Sequence, residues 1–113
     1  MAASPRLAER IREMLAGRGI VEKRMFGGEA FFLNANILAA VWDERLVLRL
    51  GAEEAEIALR ERHVRPFDLT GKAMRNWVVV DAAGIARDDE LDYWLLRAWR
   101  FVETLPPPRP RRK

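Results

Sequence analysis

The stretch that decides the fold runs from Lys23 to Leu33 and reads KRMFGGEAFFL. It begins with two basic residues, passes through Met25 and Phe26 into a glycine pair, and continues as an apolar run typical of a strand. Adjacent glycines suit a bend, or a backbone that packs too closely to a neighbour for a Cβ atom. We therefore predict a strand on each side of Gly27 and Gly28, with Met25 and Phe26 at least partly buried.

The residues before and after this stretch extend the pattern. Ser4 and Pro5 are typical of a helix start, and the helix that follows is predicted to end at Gly17 or Gly19. Apolar runs separated by turn residues predict four strands, at 20–25, 30–33, 37–42 and 46–50. Because the connections between them are short, we expect antiparallel pairing.

The second half predicts two more helices and further strand. A helix opens at Gly51, with acidic residues near its start and Arg60, Arg62 and His63 near its end, an order that complements the helix macrodipole. Pro66 interrupts the pattern, a short extended piece covers 67–69, and 77–80 reads as a strand. The last helix starts with the acidic residues at 88–90 and stops before the prolines at 106–108.

This order predicts an α+β fold with an antiparallel sheet of about five or six strands and three helices, in the order α-β-β-β-β-α-β-β-α. We expect one domain over residues 1–105 and a disordered basic Pro/Arg tail over 106–113. The apolar stripe of the last helix should pack on the sheet through Trp77, Val79 and Leu48; its central members are Leu91, Leu95, Ala98 and Val102.

Composition excludes several classes of protein. The chain has 113 residues, is 50% hydrophobic and 33% charged, and contains no cysteine, so disulfides, cysteine metal sites and a cysteine nucleophile are excluded. We see neither a signal peptide nor an apolar run of about 20 residues that could cross a membrane, and we expect a cytoplasmic protein.

The positive charge is concentrated at the C-terminus. The formal net charge is +3, yet four cations lie in the last eight residues, so residues 1–105 carry a net charge of −1. Those four are Arg109, Arg111, Arg112 and Lys113. A body close to neutral favours a protein partner over a nucleic acid, although weak nucleic-acid binding through the tail and an arginine-rich face stays open.

Several segments carry a family resemblance. They are Arg24-Met25-Phe26-Gly27-Gly28, the strand 46–50, the run GKAMRNWV at 71–78, and the C-terminal Trp94, Ala98 and TLPP at 104–107. With these segments in order over about residues 8–107, the chain resembles the N-terminal domain of the TfoX/Sxy family, known for competence regulators. Ala73 stands where such proteins often have proline, and the competence regulators carry a second, C-terminal domain.

The resemblance implies the fold and a bacterial, regulatory ancestry, and it brings no catalytic residues with it. We expect a small non-enzymatic module that acts, if in regulation, through protein contacts, and a homodimer stays open. His63 is the single histidine and is explained as a helix cap or a solvated cation, and Ser4, the single serine, is explained as a helix cap. We therefore expect no catalytic, cofactor or metal site.

Two places are candidate interaction sites. The first is the opening stretch, where Lys23 and Arg24 would lie exposed beside a partner-binding edge. The second is the last helix, where Trp99 lies off the apolar stripe between two arginines, which suits protein or nucleic acid equally. The candidates are Lys23, Arg24, Phe26, Gly27, Gly28, Arg97, Trp99 and Arg100, together with the basic tail.

Overall fold

A computed structural model of the chain describes residues 4–25, 27–68, 71 and 73–108. Within these residues the order is three α-helices and six strands, in the predicted α-β-β-β-β-α-β-β-α arrangement, with a short 3₁₀ turn at Ala82–Gly84. The elements are α1 (Pro5–Met14), β1 (Val21–Met25), β2 (Gly28–Leu33), β3 (Asn36–Trp42), β4 (Arg45–Arg49), α2 (Ala52–Ala58), β5 (Val64–Asp68), β6 (Ala73–Val80) and α3 (Asp88–Val102).

The six strands form one antiparallel sheet in the order β1-β2-β3-β4-β6-β5. The first four strands are successive neighbours, because each connection is a tight turn. β6 then pairs with β4, and β5 lies at the outer edge, so β1 and β5 are the two edge strands. The α+β fold class predicted from the sequence is confirmed.

The main core lies between the helices and one face of the sheet, which we call the covered face. α3 packs against β3 and β4, and α2 packs against β6. The α3 residues Leu91, Leu95, Ala98 and Val102 are buried here with Leu48, as predicted. The prediction that Trp77 and Val79 join them is wrong, because alternation along β6 turns Val78 and Val80 to the helices instead.

Several element boundaries differ from those predicted. α1 is shorter than expected, since Met14 is its last residue and positive-φ glycines follow in the turn. α2 ends at Ala58, so the prediction that Arg60, Arg62 and His63 complement its dipole is wrong; none of them lies in its last turn. The prediction that Pro66 interrupts the regular structure is wrong, because Pro66 lies within β5. This strand is at the edge of the sheet, where a missing N–H is tolerated.

The N-terminal helix begins as its sequence predicts. Ser4 accepts a hydrogen bond from the backbone N–H of Leu7 at 3.2 Å, and Pro5 occupies the first turn. Farther along the covered face, Arg12 forms a bidentate ion pair with Glu22 on β1. Its Nε donates a hydrogen bond to Oε1 at 2.7 Å, and its Nη2 donates one to Oε2 at 2.6 Å. This contact ties α1 to the edge strand.

Candidate functional site

The second face of the sheet carries its own apolar layer, and we call it the open face because no described helix residue takes part in this layer. Its buried members are Ala30, Ala40, Val47, Phe67 and Val79, with Met25, Phe32, Trp42 and Trp77 partly buried around them. Every one of these residues lies in a strand. The open face therefore stabilises itself by side-chain contacts within the sheet.

Three aromatic rings hold this layer together. Phe67 is only 4% exposed and contacts Trp42 edge-to-face at a centroid distance of 5.8 Å. Its ring also lies 6.0 Å from that of Trp77. The hollow left between these rings, Ile37 and Val47 has a volume of about 30 Å³, so the face is a nearly filled surface and holds no deep pocket.

Each partly buried aromatic ring on the open face is accompanied by a cation. The Arg45 guanidinium lies 5.9 Å from the Trp42 ring, and the Arg49 guanidinium lies 5.6 Å from the Trp77 ring. These pairs arise from strand register, because Trp42 is opposite Arg45 and Arg49 is opposite Trp77. Lys23 is a diagonal neighbour of Phe32 across β1 and β2, and its ammonium nitrogen lies 5.2 Å from the Phe32 ring. Cations held over rings in this way are attracted by the ring quadrupole.

Arg49 is the least satisfied of these cations. Its Nε is buried and has no hydrogen-bond partner among the described residues, and no described carboxylate forms an ion pair with it. Burial lowers the pKa of the Arg49 guanidinium, since removal from water disfavours its charged form. Leaving a buried donor without an acceptor costs about 1–3 kcal/mol. The contact of the guanidinium with the Trp77 ring offsets part of this cost.

The neighbouring arginines are better compensated. Asp81 lies at the end of β6, where its Oδ2 accepts hydrogen bonds from the Arg65 Nη2 at 2.8 Å and Nε at 3.2 Å. Its other oxygen is 3.4 Å from the Arg45 Nε, an ion-pair distance. Arg65 belongs to the open face because it is opposite Val79. Lys23 and Arg49, in contrast, form no ion pair with described residues.

The residues of the opening stretch divide between the two faces. Lys23 is exposed on the open face. Arg24 is the next residue of β1, so it lies on the opposite side of the strand, where it forms an ion pair with Glu29 at 3.3 Å. Gly27 is in the turn with φ of 77°, a conformation that favours glycine, and Gly28 is buried opposite Met25. The predicted partial burial of Met25 is confirmed, and Phe26 lies outside the described residues.

The α3 candidates lie elsewhere. Arg97 is 11% exposed and is held by Glu61 at 2.8 Å and Glu54 at 3.2 Å, with its guanidinium 4.6 Å from the Trp94 ring. Burial acts to lower the pKa of Arg97, but the hydrogen bond and charge of Glu61 outweigh it, so the pKa is raised. Arg97 thus clamps α3 to the α2 segment.

Trp99 and Arg100 complete the α3 group. Trp99 is half-buried and its Nε1 donates a hydrogen bond to Glu103 at 3.2 Å. Arg100 is exposed beside a cavity of about 420 Å³ near Gly51 and Phe101. The structure does not bring the α3 candidates together with those of the opening stretch. The tail cations Arg109, Arg111, Arg112 and Lys113 lie outside the described residues.

The sequence analysis missed Arg45, Arg49 and Phe67 as surface partners of the tryptophans. A signal was present: the two-residue turn at 43–44 places Trp42 opposite Arg45, and alternation then adds Val47 and Arg49 to the same face.

Two further observations restrict the chemistry. Among the described residues, no group of three or more histidine, cysteine, aspartate or glutamate side chains could hold a metal ion. Over the same part of the chain, no helix has the length and apolar character that a membrane span requires.

The comparisons with known proteins give one match. A family model described as the TfoX N-terminal domain matches residues 13–102. Neither the curated proteins nor the solved structures contain a match. The matched range begins inside α1 and ends at the last residue of α3, so it includes the whole sheet and both of its faces.

Proposed function

Since the chain belongs to the TfoX N-terminal domain family, we propose that it is a small, non-enzymatic, cytoplasmic module that acts in regulation through protein contacts. The observation that carries this proposal is the open face. It combines apolar side chains with arginines stacked on tryptophans, a composition enriched in the centres of protein interfaces.

The ion pairs elsewhere on the domain support a non-enzymatic role. The charged side chains that are partly buried at the helices, such as Arg97 with Glu54 and Glu61, hold one element against another. Glu22 is likewise engaged by Arg12. Charged groups engaged in structural contacts of this kind are not poised to exchange protons with a substrate.

Site-specific photo-crosslinking tests the proposal in the cells that make the protein. A photoreactive residue at Ile37, half-buried on the open face, should give a discrete protein adduct. The same residue at Glu56, exposed on α2, is the control and should give none. Adducts that form equally from both positions, or from Glu56 alone, would place the contact surface elsewhere.

Direct nucleic-acid binding is the second candidate function. The observation that favours it is that Lys23 and Arg49 lie on one face without a described carboxylate partner. Of the other cations considered from the sequence, Arg24 and Arg97 are already paired with glutamates. Fluorescence anisotropy of labelled oligonucleotides over a salt series tests this candidate, because phosphate contacts give a steep dependence of affinity on salt.

A further inference from the structure

We propose that the open face binds a protein segment in which carboxylate side chains flank apolar ones, and that Arg49 is the residue that receives a carboxylate. This inference rests on the proposed function, because it specifies the chemistry of the protein partner. Arg49 has no carboxylate partner among the described residues, and its buried Nε has no hydrogen-bond acceptor there.

The position of Arg49 suits an incoming carboxylate. Its guanidinium is held over the Trp77 ring, and its terminal nitrogens are not among the described buried polar atoms that lack a partner. A guanidinium presents a planar fork of donors that matches the two oxygens of a carboxylate. An acid arriving beside Trp77 would therefore accept hydrogen bonds from these terminal nitrogens and pair with a cation that has no described carboxylate partner.

The surroundings of Arg49 require apolar side chains from the same partner. Val47 lies between Arg45 and Arg49 on the side of β4 that belongs to the open face, and the Phe67 and Trp77 rings lie beside it. Half-buried tryptophans gain most when a ligand excludes the remaining water around them. A purely acidic segment would leave this apolar area wet, so the fitting partner mixes both kinds of side chain.

Charge disfavours a second copy of the chain as the occupant. A two-fold dimer through the open face would bring two copies of the same patch together, so that the cations of one copy, Lys23 and Arg49 among them, face an equally cationic surface. The described carboxylate that contacts cations of this face is Asp81, and it already serves Arg45 and Arg65. Like charges across an interface oppose association.

Stacking geometry disfavours a nucleic acid. Sequence-tolerant binding of single strands uses aromatic faces on which bases stack. Here a guanidinium of the domain already lies over each of Trp42 and Trp77, and Phe67 is packed between their rings. A base would have to displace an arginine, whereas a carboxylate would bind to the arginine in place.

The test is selection of peptides from a random display library against the full chain. Synthetic versions of the selected peptides are then titrated against the parent protein, Arg49→Gln and the matched control Arg6→Gln. Arg6 is an exposed arginine in α1, on the covered side. We expect enrichment of Asp and Glu next to aromatic or aliphatic residues, and a loss of affinity of about tenfold or more for Arg49→Gln only.

Each other outcome overturns the inference in a distinguishable way. Peptides that are apolar without acids, or that ignore Arg49→Gln, would remove the carboxylate partner while leaving the proposed protein-contact function intact. An empty selection would also count against it. Tighter binding of a labelled single-stranded oligonucleotide that Arg49→Gln abolishes would overturn both proposals, and self-association in sedimentation that Arg49→Gln strengthens would assign the face to a second copy.

Discussion

The two faces of the sheet are built from similar apolar residues but differ in what covers them and in how their charged residues are paired. On the covered face, helix side chains complete the packing, and the charged residues at its margin pair with opposite charges. On the open face, the strands supply the whole apolar layer, and two cations have no described acid. The helices therefore complete the packing of the covered face only, whereas the open face holds a buried Arg49 Nε that has no acceptor among the described residues.

The largest expected effect is on the covered face. Leu95 is 1% exposed, so Leu95→Ala should lower the free energy of unfolding by about 2–5 kcal/mol, the sum of lost burial and a residual cavity. Urea denaturation followed by tryptophan fluorescence measures it. The neighbouring Leu96 is 41% exposed, and Leu96→Ala should change stability by less than about 1 kcal/mol. Equal losses would mean that this helix face is wrongly assigned.

A backbone position at the rim of the covered face should come second. Gly51 has φ of 86°, and a Cβ there would lie 2.6 Å from the Phe101 Cε1. Gly51→Ala should therefore cost about 2–4 kcal/mol, combining overpacking with an unfavourable φ. Gly17→Ala is the control, because φ is 78° and nothing lies within 4 Å, so only the conformational cost of about 1 kcal/mol remains. Indistinguishable melting temperatures would refute the tight approach of Phe101.

The sequence predicted the covered face better than the open one, for physical reasons. Helical spacing in α3 identified Leu91, Leu95, Ala98 and Val102, because one apolar stripe can face only one way. Alternation along a strand identifies two faces but does not say which is covered, so Trp77 and Val79 were assigned wrongly. The cation–aromatic pairs depend on the register between strands, which periodicity within one strand does not specify.

The boundary of the tail shows a similar limit. Asn36 is buried, and its side-chain nitrogen donates a hydrogen bond to the Pro106 carbonyl at 3.0 Å, so the first tail residue contacts the sheet. A boundary placed after Leu105 from composition could not register this contact, because proline and charge say nothing about a backbone carbonyl. Truncation after Pro108, which keeps the Pro106 carbonyl, should therefore leave the melting temperature nearly unchanged.

Low pH should lower the free energy of unfolding through a charged contact at the covered face, by less than the two substitutions above. The hydrogen bonds from Arg12 lower the pKa of Glu22 from its ordinary 4.5, so ionised Glu22 stabilises the folded state. This contribution is complete above pH 4.5, declines as the pH falls below that value, and is lost below the folded pKa. Glu22→Gln should flatten this part of the stability–pH profile, whereas an unchanged profile would show that the contact is not formed in solution.

The smallest expected change is the one that separates the two faces most directly. Arg49→Met keeps an unbranched apolar stem, removes a buried donor without an acceptor, and gives up a cation–aromatic contact worth about 0.5–1 kcal/mol. Because these effects oppose each other, the free energy of unfolding should stay within about 1 kcal/mol of the parent value. Denaturant midpoints at constant slope measure this difference.

The same substitution at Arg97 is the control and should have the opposite consequence. Arg97→Met leaves Glu61 and Glu54 without their cation, and hydrogen bonds to charged groups contribute about 1.5–3 kcal/mol each, so the domain should be clearly destabilised. If Arg49→Met were the more damaging of the two, Arg49 would be a structural residue of the sheet. Arg49 would then be held by the domain itself, and the open face would not offer it to an acidic partner.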